Sequence, residues 1–127
     1  MQGVKAMPVK FSAESGNLGV FRVSGKLGLD ELEQAQGECE AMIRNVGKIK
    51  ILAVLDNFQG WEKARGWEDL SFADRNDPYI DKFAIVGNEK WKDLAYAFTA
   101  KGLRPVPIEF FADGEETAAR QWLTSDD

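Results

Sequence analysis

Two short segments hold the side chains best suited to chemistry. In residues 49–61, Ile-Lys-Ile-Leu-Ala-Val-Leu-Asp-Asn-Phe-Gln-Gly-Trp, a β-branched apolar run stops at Asp56-Asn57 and an aromatic stretch follows. A carboxylate and a carboxamide at the mouth of a buried strand could hydrogen-bond a ligand, because open α/β sheets bind ligands beyond the carboxyl ends of their strands. The same two residues could instead end the strand by bonding their own backbone. The pattern recurs in Phe83-Ala84-Ile85-Val86-Gly87-Asn88-Glu89. There Gly87 could let an anion approach a helix N-terminus, or Asn88 could cap that helix. A single glycine falls short of the Gly-rich run of a phosphate loop.

Composition narrows the chemistry further. Histidine is absent and Cys39 is the one cysteine. That removes Ser-His-Asp and Cys-His nucleophile systems and the commonest metal ligand. The remaining enzymatic option is a carboxylate pair, Asp56 with Asp113 or Glu89, without a motif to support it. The expectation is therefore a non-enzyme with no catalytic residues, no metal and no cofactor. A net charge of −5 without a long basic run argues against nucleic acid as a partner. One cysteine allows no intrachain disulfide and fits a reducing compartment. Residues 1–8 read as a flexible N-terminus rather than a signal peptide. No apolar run approaches the roughly 20 residues that span a bilayer. The expected location is cytoplasmic, with peripheral contact at the inner face of the membrane.

The elements that must position these residues follow from periodicity. Alternation over 9–14 and 18–25, interrupted by Ser15-Gly16-Asn17, predicts a β-hairpin. Leu32, Ala35, Gln36, Cys39, Met42, Ile43 and Val46 predict a helix over 29–46, with acidic residues in its first turn and Gly47 as its cap. Gly37 inside it would fit close packing on the sheet. Strands are expected at 48–55, 83–87 and 106–111, the last on a sheet edge because of Pro105 and Pro107. Helices are expected over 62–76, 89–101 and 114–124. Gly102 would cap the second of these, and Ala118, Ala119, Trp122 and Leu123 would face inward on the third. The order β-β-α-β-α-β-α-β-α makes the chain a single α/β domain over 9–124, its parallel crossovers right-handed.

The aromatic residues exceed what one buried stripe can use. On the 62–76 helix Trp67 and Leu70 share a side, while Phe72 lies well around from them, near Trp61 if the helix extends back that far. On the 89–101 helix Trp91, Leu94, Ala95 and Phe98 form a stripe and Tyr96 points away. These residues either pack against neighbouring elements or form an exposed aromatic face, which would mark a ligand groove, a partner surface or a membrane surface. Lys90, Lys92 and Lys101 could help that face rest on anionic lipid.

Several of these segments together resemble a known family. Phe21-Arg22-Val23-Ser24-Gly25-Lys26-Leu27, Leu55 to Trp61, Trp67-Glu68-Asp69-Leu70 and Ala84 to Trp91 are similar to the SpoIIAA-like proteins, relatives of STAS domains. The resemblance covers about residues 9–123. It implies a STAS/SpoIIAA-like mixed β-sheet, close to the CRAL-TRIO lipid-carrier fold. It also brings two functions. STAS anti-sigma-factor antagonists switch through a phosphorylated Ser or Thr after the central strand, whereas Asp56 to Glu62 here contain no hydroxyl residue. The CRAL-TRIO likeness implies an apolar ligand under mobile helices.

The sequence thus leads to a non-enzymatic binding protein for an apolar or lipid-like small molecule. Trp61, Trp67, Leu70, Phe72, Trp91, Leu94, Tyr96 and Phe98 would line its pocket, and Asp56, Asn57 and Gly87 its polar mouth. Transient membrane contact and a homodimer are further expectations. The alternative is a regulatory protein-interaction module of the STAS type without the phosphorylatable serine.

Overall fold

The computed structural model describes residues 9–62 and 71–125. Alternation builds β1 (Val9–Glu14) and β2 (Leu18–Leu27), paired antiparallel from Val9 opposite Val23 to Glu14 opposite Leu18. Next come α1 (Leu29–Val46), β3 (Ile49–Trp61), α2 (Ser71–Asn76), β4 (Ile80–Gly87), α3 (Lys92–Phe98), β5 (Ile108–Ala112) and α4 (Glu116–Thr124). Short 3-10 turns at Asp77–Tyr79 and Glu89–Trp91 precede β4 and α3. The expected element order is the observed one. The N-terminal segment 1–8 and most of the expected 62–76 helix, with Trp67 and Leu70, lie outside the described residues.

The five strands form one sheet in the order β1-β2-β3-β4-β5, with β2 through β5 mutually parallel and β5 on the edge, as expected. Sheet order thus equals chain order. Right-handed crossovers that all advance in one direction put every crossover helix on the same face. That face carries Phe21, Val23, Ile51 and Ile85, with residues of α1, α2 and α3 packed on it. The opposite face, with Val20, Leu52, Ala84 and Val86, is covered by α4 through Ala119 and Leu123. Adjacent helical positions are about 100° apart, so Ala118, expected inside, is exposed beside the fully buried Ala119.

Helix α1 buries Ala35, Cys39, Met42 and Ile43, as its spacing predicts. Two expectations about it fail. Val46 lies in the last turn, beside the β1–β2 turn, and stays 41% exposed. Gly37 does not pack closely, since a Cβ there would meet open space. Helix α3 ends earlier than predicted because the chain turns at Ala100 and Gly102, both at positive φ.

The largest departure concerns β3, which continues past the expected end at Leu55 to Trp61. Its pairing with β2 steps from Val23–Leu55 to Gly25–Phe58 and Leu27–Trp61. Each step inserts one extra β3 residue. These are β-bulges, with Asn57 at φ 54 in the first and Gly60 at φ 98 in the second. Asp56 and Asn57 therefore do not terminate the strand.

Polar side chains tie the layers together. Lys82 is buried beneath the end of α4, where its ammonium donates to the carbonyls of Trp122 and Ser125 and to the Ser125 hydroxyl at 2.8–3.0 Å. A cation there also complements the negative end of the helix. Arg22 pairs with Glu116, and Arg120 bridges Glu116 and Glu14, fastening α4 to β1 and β2. Glu40 on α1 accepts from Arg75 at 3.0 Å and from Asn76 at 2.8 Å, clamping α1 to α2. Arg104 donates twice to Asp77, at 2.6 and 3.0 Å, and once to the Thr99 carbonyl.

Three outcomes follow from this arrangement. Asn57→Val, forcing a β-branched residue into a left-handed conformation, should lower unfolding stability by about 1–2 kcal/mol, while Asn57→Gly should leave it within about 0.5 kcal/mol; urea midpoints check both. Burial, with Glu40 nearby, pushes the Cys39 thiol up to about 12. Native protein at pH 8 should therefore react with a maleimide at least about a hundredfold more slowly than urea-unfolded protein. Hydrogen bonds from Arg75 and Asn76 hold Glu40 below the usual carboxylate range. Such a group stabilises the fold above its unfolded value, about 4.3, and that contribution is lost as pH falls through the lower folded value. Glu40→Gln should thus flatten the fall in unfolding free energy between about pH 5 and pH 3, measured by denaturant titration at each pH.

Candidate ligand-binding site

Between the sheet and its three crossover helices lies a cavity of about 310 Å³. Its floor is set by strand alternation. Phe21, Val23 and Leu27 of β2, Ile51, Ala53 and Leu55 of β3, and Phe83 and Ile85 of β4 all point the same way. The two bulges carry this face onward. Without them Asn57 and Gln59 would follow Leu55 on it; with them Phe58 and Trp61 do.

The space exists because small residues stand where large ones would fill it. Ala53 lies in the middle of the floor, in a cross-sheet row between Phe21 and Ile85. Above it, Gly37 of α1 and Ala95 of α3 also line the cavity. Helix α1 contributes a second stripe through Leu29, Leu32, Gln36 and Glu40, beside the one that packs on the sheet. Phe72 and Ala73 close one side from α2, and Leu94 and Phe98 close another from α3.

Aromatic rings form one wall. Phe58 meets Trp91 edge-on at 4.8 Å between centroids and lies 6.0 Å from Trp61. Trp61 in turn lies 5.8 Å from Phe98. All four are half-buried. The polar fringe consists of Glu33, Gln36, the Glu40–Arg75 pair, Ser71, Thr99 and Arg104. The lining as a whole is apolar with a few polar groups, the usual composition of a small-molecule site. Among the described residues, no group of three or more Cys, Asp or Glu side chains could hold a metal.

The structure brings together Trp61, Phe72, Trp91, Leu94 and Phe98 of the expected lining. It separates the others. Asp56 and Asn57 are exposed at the first bulge and do not reach the cavity. Gly87 is buried against β3, where a Cβ would come within 2.9 Å of the Leu55 Cβ, so its role is close strand packing. Tyr96 is a fastener between α3 and β5: its hydroxyl accepts from the Phe110 amide at 3.0 Å, and its ring stands edge-on to Phe110. Lys101 sits over that same ring and donates to the Ile108 carbonyl. Asn88 caps the turn that follows it, its side-chain oxygen accepting from the Lys90 amide at 3.0 Å. Asp113 and Glu89 stay on the surface. The sequence reading missed Phe58, Ala53, Gly37 and Arg104. Period-two alternation could have found Ala53 and the rest of the floor; the bulges hid Phe58.

No helix among the described residues is long and apolar enough to cross a membrane. The SpoIIAA-like family matches residues 18–124. Among solved structures, an uncharacterised protein from Shewanella loihica PV-4 with a SpoIIAA-like fold superposes with a TM-score of 0.70. Its identity to this chain is 19%, over 97% of this chain and 98% of that one, and the likeness is one of fold. A search of the curated proteins finds no significant match. The family match runs from β2 through α4 and so takes in both floor and roof of the cavity, and on that match the chain belongs to the SpoIIAA-like family.

Proposed function

We propose that the chain is a non-enzymatic binding protein for an apolar or lipid-like small molecule, held between the sheet and α1, α2 and α3. The observation that carries this reading is the cavity of about 310 Å³ with its apolar floor and aromatic wall. Sites of this size and lining bind small molecules by burying their apolar surface, while a few polar groups orient them. Helix α3, only seven residues long and with Leu94 46% exposed, is the part of the roof that would yield to admit the ligand. Lys90 just before it and Lys92 at its start would favour brief contact with an anionic membrane.

Family membership favours a second reading, a regulatory interaction module of the STAS type. Exposed Tyr79, Leu94 and Leu103 would then contact a protein partner or a second copy of the chain. The two readings separate in one experiment. Native mass spectrometry of freshly purified protein, followed by organic extraction, should release a stoichiometric apolar compound. Ala53→Leu, which fills the floor, should fold and lose that compound. A ligand-free protein that binds neither lipid nor any other apolar small molecule overturns the carrier reading, and a stable dimer or a captured partner then supports the module.

A further inference from the structure

We propose that the ligand is a compact, uncharged ring compound, rather than a diacyl lipid or a fatty carboxylate; this rests on the carrier reading above. Size is the first argument. A cavity of about 310 Å³ lies at the small end of ligand sites, which run from about 300 to 1,000 Å³, and suits one compact molecule rather than two acyl chains. Shape is the second. The wall is made of rings, with Phe58 edge-on to Trp91 at 66° and Trp61 tilted 39° to Phe98. Such a wall presents both faces and edges of π-systems, which a planar ring can match and an alkyl chain cannot.

Charge is the third argument. Both lining arginines already hold a carboxylate. Arg75 is bound to Glu40, and Arg104 to Asp77 with both side chains only 11% exposed. A ligand carboxylate would have to displace Asp77 from Arg104 and leave it buried without compensation. Glu33 on the fringe would repel it as well. An uncharged ligand leaves both pairs intact.

Size-matched probes decide the matter: 2-naphthol, decan-1-ol and naphthalene-2-carboxylate, titrated calorimetrically at neutral pH into ligand-extracted protein. The expected result is 2-naphthol binding about tenfold or more tighter than either competitor, with the heat lost in Ala53→Leu. Equal binding of decan-1-ol overturns the ring preference, and equal binding of the carboxylate overturns the preference for an uncharged ligand. A 2-naphthol response unchanged in Ala53→Leu places binding outside the cavity and overturns the proposal. Stoichiometric uptake of phosphatidylcholine from vesicles, undisturbed by 2-naphthol, overturns the size argument while leaving the carrier reading intact. Failure of every probe and of vesicle uptake defeats both.

Discussion

The pairing of β2 with β3 governs what the floor and wall of the cavity are made of. Strand side chains alternate, so a slip of one residue exchanges the whole set of one face for the other. In β3 the chain slips twice against β2, at Asn57 and at Gly60. The slips leave Ile51, Ala53 and Leu55 in place and bring Phe58 and Trp61 onto the same face. Two residues that tolerate positive φ therefore convert a strand tip into the aromatic side of a cavity. Asn is among the few residues that visit this region readily, through a short side chain that bonds locally.

The winding of the sheet sets where the cavity lies. Doubly wound sheets reverse strand order and open a crevice at the reversal. Here the order never reverses, so no such crevice forms, and the polar residues beyond the strands stay on the surface. Three helices on one face compete for room instead. Helix α1 packs one stripe on the sheet and turns another toward α2 and α3. The cavity is the space left between these helices above Ala53. The Glu40–Arg75 and Asp77–Arg104 pairs at its fringe fix the C-terminal end of α2 and the turn that follows it.

The fold was legible in the sequence because each element announces itself over many residues. Eighteen residues of α1 carry the period of its buried stripe, and the hairpin and parallel strands carry theirs. The cavity lining was legible only where it rode on those signals. Trp91, Leu94 and Phe98 belong to a helical stripe and line the cavity. Asp56, Asn57 and Gly87, expected at its mouth, lie away from it, because a polar pair after an apolar run looks the same whether it ends a strand or bulges it. Gly87 is required by the Leu55 side chain on the neighbouring strand, a contact that no local pattern encodes. Tyr96 faces away from its stripe as expected, but its partner Phe110 lies fourteen residues onward on the edge strand.

The one-directional sheet bears on how the chain assembles. Every strand pairs with its nearest neighbour in sequence, so each pairing closes a loop of one turn or one crossover. Loop-closure entropy is met in small instalments, and native contacts stay local for a largely parallel sheet. A ribosome releasing this chain would present β1, β2, α1 and β3 with each strand's sheet neighbour already made. Helix α4 comes last of the described elements and, among the described residues, is the helix that shields the second face, so until it settles Val20, Leu52 and Val86 remain open to water. While that face is open, exposed apolar surface favours aggregation of the nascent chain.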